Sequence, residues 1–176
     1  SALLANTTGY DNVAIGRDAL ETNTTGYMNH AIGRNCMHDN TTGVQNVAMG
    51  RSALYSNTTG INNTAIGYNA LNANTEGGHN AAVGYRALYY NTTGNANTAM
   101  GRDALENNTT GTENAAIGAY CLESNTTGNW NVAMGYRALY ENTTASYNVA
   151  LGLQSLDQNV TGTYNQGVGG YSLKLN

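Results

Sequence analysis

The sequence has no proline and no phenylalanine, only two cysteines, and charged side chains at only 10% of its 176 positions. Its seven basic residues are scattered and the net charge is -4, which argues against a nucleic-acid-binding surface and against a charged tail. No apolar run is long enough to span a membrane, and we find no stretch typical of a signal peptide. The asparagine, threonine and glycine that dominate instead are too regularly ordered for a disordered chain.

The tetrapeptide "NTTG", with the variants "NTEG", "NTTA" and "NVTG", recurs at constant intervals of 17 residues. Counted from its asparagine as position 1, the unit reads N-T-T-G-x-x-N-x-A-I-G-x-x-A-L-x-x. Position 7 is asparagine and position 11 is glycine in all ten copies, and no insertion breaks the register. The units start at Asn6, Asn23, Asn40, Asn57, Asn74, Asn91, Asn108, Asn125, Asn142 and Asn159.

This period predicts an all-β fold, a parallel β-solenoid or β-roll in which each unit forms one coil. A unit of 17 residues is too short for a two-helix repeat and cannot bury its apolar positions alone, so neighbouring coils must stack. At about 4.8 Å between stacked strands, ten coils would form a rod roughly 48 Å long. The nearest alternative, a leucine-rich repeat, lacks support because its several leucines per unit are missing. We predict a single repeat domain over residues 1–176.

The segment "N-x-A-I-G" is the most strand-like part of the unit. Neighbouring residues of a strand point to opposite faces, yet positions 9 and 10 are both apolar. Either both faces are buried, one in the core and one against a partner chain, or the segment is bent. The "A-L" pair at positions 14 and 15 raises the same question, or it lies on a single helical turn.

Two glycine rows and two asparagine rows are expected to be structural. We expect glycine at positions 4 and 11 to adopt backbone conformations closed to other residues, or to form tight corners. Identical asparagines stacked in register can hydrogen-bond from coil to coil, and stacked threonines can do likewise. The asparagines that we assign to this ladder are Asn6, Asn12, Asn23, Asn29, Asn40, Asn46, Asn57, Asn63, Asn91, Asn97, Asn108 and Asn131.

The residue types that carry chemistry form no recognisable site. Cys36 and Cys121 both occupy position 14, five coils apart, which at strand spacing is about 24 Å and too far for a disulfide. The three histidines fall at three different repeat positions, and the carboxylates at positions 13 and 16 are typical of a solvated face. We therefore predict a protein that is not an enzyme and that has no cofactor or metal.

The variable positions 5, 6, 12, 13, 16 and 17 hold every tyrosine, every arginine and the one tryptophan. Such rows could bind sugars or protein surfaces, or they could simply cover the rod or contact a neighbouring subunit. Nine of the ten asparagines at position 1 also satisfy the N-x-[ST] glycosylation pattern, the exception being Asn74, but an inward-pointing row could carry no glycan. The candidate surface-contact residues are Arg17, Arg34, Arg51, Tyr68, Tyr85, Tyr136 and Trp130.

Units such as "NVAIG" at Asn12, "NVAMG" at Asn46 and "NTAIG" at Asn63 resemble the head repeats of trimeric autotransporter adhesins. The longer pattern NTTGxxNxAIGxxAL is similar to repeats of bacteriophage tail fibres and related surface fibres, and the resemblance covers the whole chain. It implies a left-handed parallel β-roll in which three chains pack about an axis and serve attachment. Such packing would explain why both faces of "A-I" are apolar.

The expected function is that of a structural and adhesive segment of a viral or bacterial surface fibre, extracellular or on a virion. The chain starts and ends within a unit, so we expect a piece of a longer array or a subunit that stacks end to end. The expected partners are further copies of the chain and a surface glycan or protein receptor, with no nucleic acid and no membrane span. Two alternatives stay open: an ice-binding solenoid that uses one threonine row, and a self-assembling extracellular filament.

Overall fold

The computed structural model describes residues 1–175 as a β-solenoid, which confirms the predicted fold class; Asn176 lies outside these residues. Ten three-residue strands form one parallel sheet in chain order, and each strand pairs with the strand of the next unit in register, so that Ala14 lies beside Ala31. The described residues contain no helix. The strands are β1 (Val13–Ile15), β2 (His30–Ile32), β3 (Val47–Met49), β4 (Thr64–Ile66), β5 (Ala81–Val83), β6 (Thr98–Met100), β7 (Ala115–Ile117), β8 (Val132–Met134), β9 (Val149–Leu151) and β10 (Gln166–Val168).

The strands bury only their central residue. Alanine at position 9 is inaccessible to solvent in most coils, whereas the residues at positions 8 and 10 point outward, and Met100 is 45% exposed. The strand is therefore extended, and its second apolar face is open to solvent in the single chain. The segment "A-I" is therefore not bent, and only its alanine is buried in the core of the single chain.

The "A-L" pair at positions 14 and 15 forms a turn in which both side chains are buried. Ala87 and Leu88, for example, are fully inaccessible to solvent. Two residues of this turn have left-handed backbone, such as Arg86 at φ 52° and Leu88 at φ 52°. The helical-turn alternative is therefore wrong, because a right-handed helical turn cannot contain the left-handed residues on either side of Ala87.

A third left-handed residue occurs at position 6, so that 31 non-glycine residues among residues 1–175 have φ between 49° and 62°. Left-handed backbone is unfavourable for residues with a Cβ and most unfavourable for β-branched ones. None of the residues at positions 6, 13 and 15 is valine, isoleucine or threonine, although these types are common elsewhere in the unit. The selection against β-branching therefore matches the backbone conformation.

The two glycine rows have different roles. Gly84, at position 11, has φ +136°, and a Cβ there would lie 2.4 Å from the carbonyl oxygen of Gly101 in the next coil. Gly77, at position 4, is not left-handed; a Cβ there would lie 2.5 Å from the carbonyl oxygen of Gly94. Of the two expectations for position 4, the unusual φ is thus wrong and the tight corner is left: close packing between coils, and not the backbone angle, favours glycine there, and Ala145 is the one exception.

The core is a column of small and branched apolar side chains from positions 9, 14 and 15. Cys36 and Cys121 replace alanine in this column and are fully buried, and both are free thiols. Burial raises the pKa of each of these thiols to about 12. They therefore act as small apolar residues and not as nucleophiles.

Candidate functional site

The asparagines at position 1 form a continuous hydrogen-bonded column inside the rod. The Asn57 Nδ2 donates to Asn40 Oδ1 at 2.7 Å and to the carbonyl of Gly60 in its own coil at 3.1 Å. From Asn23 to Asn159 every asparagine of this column is fully buried, and Asn6 in the first coil is half-buried. Each side chain therefore links its neighbour coil and closes its own corner.

The asparagines at position 7 form a second column on the other side of that corner. The backbone amide of Asn114 donates to Asn97 Oδ1 at 3.0 Å, and Asn97 Nδ2 donates to the Gly111 carbonyl at 2.8 Å. That same carbonyl accepts a bond from Asn108 Nδ2 at 3.0 Å. The position-4 carbonyl is thus the meeting point of both asparagine columns. All predicted ladder residues lie in these two columns: Asn6, Asn23, Asn40, Asn57, Asn91 and Asn108 in the first, and Asn12, Asn29, Asn46, Asn63, Asn97 and Asn131 in the second.

The two threonines of "NTTG" have different environments. The backbone amides of Thr24, Thr25 and Gly26 all donate to the carbonyl oxygen of Thr41, and the Thr24 hydroxyl donates to the same atom at 3.1 Å. The hydroxyl of the first threonine is therefore used in a hydrogen bond to the next coil. The second threonine is exposed in every coil that has one, and Glu76 takes its place in a single coil.

The last coils of the rod are joined less tightly than the others. The Thr143 amide reaches the Val160 carbonyl at 3.4 Å, and Asn159 Nδ2 reaches Asn142 Oδ1 at 3.4 Å. The equivalent bond between Asn57 and Asn40 measures 2.7 Å. Ala145 and Val160 interrupt the consensus in these coils, so the longer distances follow from the two substitutions.

Burial of the position-1 column also decides the glycosylation pattern. An acceptor asparagine that is inaccessible to solvent and bonded to its neighbours cannot carry a glycan in the folded rod. The N-x-[ST] matches from Asn23 to Asn159 are therefore structural, whereas Asn6 in the first coil is only half-buried.

Position 12 carries an exposed row of arginines and tyrosines, in which tyrosine rings stack on each other and guanidinium groups lie over the rings. Tyr68 and Tyr85 stack with centroids 5.6 Å apart, and the guanidinium groups of Arg51 and Arg102 lie over their outer faces at 5.6 Å and 5.8 Å. Both faces of both rings are thus occupied. Because a sugar ring stacks on an aromatic face, this row offers no stacking platform at these two tyrosines.

The remaining candidate contact residues are also exposed. Arg17 and Arg34 precede Arg51 in the same row, and Tyr136 meets Tyr120 edge-on at 5.7 Å. Trp130 lies at position 6, where it stacks on Tyr147 at 4.9 Å and donates from Nε1 to Glu113 Oε2 at 2.9 Å. Six of the seven candidate residues thus form one row at position 12, and Trp130 lies apart from them at position 6.

An apolar row lies on the outward side of the sheet, which we call the strand face and define as the side chains at positions 8 and 10. Position 10 is apolar in every coil, whereas position 8 also holds His30, Thr64, Thr98 and Gln166. Its exposed members include Ile15, Ile66, Met100 and Met134. Ten strands about 4.8 Å apart and three residues wide give a face of roughly 500 Å². A face of this size is comparable with the largest apolar patch of a typical soluble monomer, and such patches are often functional.

A shallow groove of about 560 Å³ runs between positions 17 and 2. Its walls are the threonines of position 2, whose hydroxyls already donate to carbonyls, as Thr109 does to Thr126 at 3.0 Å. The polar groups of the groove are therefore largely used within the rod. It is lined by Ala73, Tyr90, Thr92, Asn107, Thr109, Ser124 and Thr126.

The carboxylates at positions 13 and 16 differ from the solvated face that their repeat positions predict. Asp103, Glu106 and Asp157 are buried, at 5%, 8% and 2% exposure. Arg86 reaches forward to Glu106 at 2.6 Å, and Arg137 reaches forward to Asp157 at 3.2 Å. The solvated-face interpretation is wrong for these residues. An arginine of the preceding coil covers Glu106 and another covers Asp157, while Arg102 of the same coil pairs with Asp103 at 3.0 Å.

The histidines do not converge. His30 and His79 are exposed, and His38 lies half-buried between Glu21 and Asp39, with its ring stacked on Tyr55 at 5.0 Å. Among residues 1–175, no group of three or more histidine, cysteine or acidic side chains is arranged to hold a metal ion. No helix in this part of the chain is long and apolar enough to cross a membrane.

No family model, curated protein or solved structure matches this chain.

Sequence reasoning missed two features of the site. The buried ion pairs join position 13 of one coil to position 16 of the next, a separation of 20 residues that a pattern read within one unit does not reveal. The left-handed residues had a usable signal, the absence of β-branched side chains at positions 6, 13 and 15.

Proposed function

We propose that this chain is a non-enzymatic rod of a viral or bacterial surface fibre, in which three copies associate through the strand face. Such a fibre is extracellular or lies on the virion surface, and it serves attachment to a host or other surface. Its receptor would be a surface glycan or a protein. A self-assembling extracellular filament without a receptor is a close variant of the same proposal.

The observation that carries the proposal is the strand face itself. Its apolar side chains are not needed for the core of the single chain, since the core is filled by alanine and leucine from positions 9, 14 and 15. The neighbouring position-6 and position-12 rows widen the face toward the ~800 Å² per partner of a standard interface. Burial of this face against further copies would remove the apolar surface from water.

Replacement of Ile66 and Met100 together by glutamate is expected to reduce the particle mass from three copies to one. Both side chains point outward from strands β4 and β6, so the fold of a single chain should survive, while like charges would meet across the interface. Light scattering measures the mass, and circular dichroism checks the fold.

The matched control replaces Thr59 and Thr93 by glutamate. These exposed residues lie at position 3, where Glu76 already occurs, so this variant should keep the mass of the parent protein. A strand-face variant with the same mass as this control would contradict the proposed interface.

The exposed second threonine of "NTTG" favours a second candidate function, ice binding. Its row runs along the rod at a spacing of about 4.8 Å, with Glu76 as the one interruption. Thermal hysteresis of the purified protein tests this candidate directly, and freezing without hysteresis would remove it. The row is only one residue wide, and we therefore rank this function second.

A further inference from the structure

A network of charges joins coils 5 to 9 at positions 12, 13 and 16. Its carboxylates are buried or half-buried, whereas its arginines range from half-buried to exposed, with Arg102 at 62%. Three arginines each pair with one carboxylate: Arg86 with Glu106 at 2.6 Å, Arg102 with Asp103 at 3.0 Å, and Arg137 with Asp157 at 3.2 Å. All three arginines also lie over tyrosine rings, with Arg86 over Tyr89 at 4.6 Å, Arg137 over Tyr140 at 4.0 Å and Arg102 over Tyr120 at 5.4 Å. The arginines are thus fixed in place by their partners.

Glu123 is the fourth carboxylate of this network and has no arginine of its own. It occupies position 16 of the coil after Glu106, so the two glutamates lie on neighbouring rungs. The Oε2 of Glu123 is buried without a hydrogen-bond partner, and so is the Oδ1 of Asp103. Three arginines and four ionised carboxylates leave the network with one uncompensated negative charge.

We propose that this network binds one proton in the folded rod, held on the Glu106–Glu123 pair, and that it makes coils 6 and 7 a pH-sensitive segment. Protonation removes the uncompensated charge from a partly buried position, where an unpaired charge is costly. It also changes a buried oxygen without a partner from an acceptor into a donor.

The surroundings of the pair favour its neutral form. Burial raises the pKa of Glu123, and the negative charges of Glu106 and Asp103 raise it further, against the opposite effect of Arg137 and Arg86. Burial likewise raises the pKa of Glu106, although Arg86 lowers it. The charged and titratable groups that face the pair are Arg86, Arg102, Asp103, Arg137, Tyr140 and Asp157.

The direction of the pH effect follows from these shifts. A carboxyl whose pKa is higher in the folded state than its ordinary 4.5 binds more protons when folded than when unfolded. Its contribution to stability is therefore complete below pH 4.5 and is lost as the pH rises through the raised pKa. The network should make the rod more stable in mild acid than at about pH 8.

The test is the variant Glu123→Gln, in which a neutral amide replaces the protonated acid. We expect its Tm to exceed that of the parent protein by about 2–4 °C at pH 8 and to depend less on pH between 5 and 8. The control Glu76→Gln removes an exposed carboxylate outside the network and should leave the pH dependence unchanged. A lower Tm at pH 8, or an unchanged pH dependence, in Glu123→Gln would overturn the proposal.

A direct titration keeps the proposal testable if that variant folds poorly. Carbon-13 NMR of the glutamate side-chain carboxyls reports each protonation midpoint in the parent protein. We expect the Glu106 and Glu123 signals to titrate above the other glutamates and to move together. Midpoints in the ordinary range of exposed glutamates would overturn the proposal.

Discussion

Replacing Asn97 by alanine is expected to lower the Tm of the rod by about 6–12 °C. Asn97 is fully buried in the middle of the chain, and its side chain bonds the coil before it and the coil after it. Its loss leaves the Asn114 amide without an acceptor, removes one donor from the Gly111 carbonyl and opens a small cavity. Together these effects cost about 3 kcal/mol, and each kcal/mol lowers Tm by about 2–4 °C in a chain of this size.

The matched control for this prediction is Asn62→Ala. Asn62 is exposed at position 6, where another coil already has Ala96 with the same left-handed backbone. Its replacement should change Tm by no more than a degree or two, because a surface change away from special features costs about 0.5 kcal/mol or less. If thermal melts by circular dichroism give the two variants equal Tm values, the asparagine columns do not stabilise the rod.

Replacing Leu88 by isoleucine is expected to lower Tm by about 4–12 °C, although the two side chains are isomers. Leu88 is fully buried and has φ 52°. A branch at Cβ is strongly disfavoured in left-handed backbone, and strain of this kind costs about 2–3 kcal/mol. Thermal unfolding followed by circular dichroism measures the loss.

The control for this second prediction is Leu88→Met, because Met37 occupies the same repeat position with φ 50°. Methionine has no branch at Cβ, so this variant should lose less than about 1.5 kcal/mol. Equal Tm values for the isoleucine and methionine variants would show that side-chain shape, and not backbone conformation, decides which residue is accepted at position 15.

The fold could be predicted from the sequence because its period is a global signal. An unbroken 17-residue register admits few architectures, and one coil per unit follows from the unit's length. The asparagine rows could be assigned for the same reason, since a residue type that recurs at one position must meet itself in the next coil. Features that repeat in every coil can therefore be predicted from a single sequence.

Features that do not repeat from coil to coil could not be predicted from the sequence. Arg86, Glu106 and Glu123 look like variable surface residues when each unit is aligned on the others. Their burial depends on which residue follows in the next coil, and that relation is visible only in three dimensions. The exposure of position 10 could not be deduced either. Neighbouring residues of a strand point to opposite faces, but this rule does not say whether the second face is covered by another chain or open to solvent.

The mass of the protein in solution shows whether three copies pack against one another through the strand face. Light scattering at micromolar concentration should give about 55 kDa, three times the 18.5 kDa of the chain. The same mass should persist on dilution, since an apolar interface that runs the length of the rod dissociates slowly. A stable single chain of 18.5 kDa across that concentration range would contradict the account.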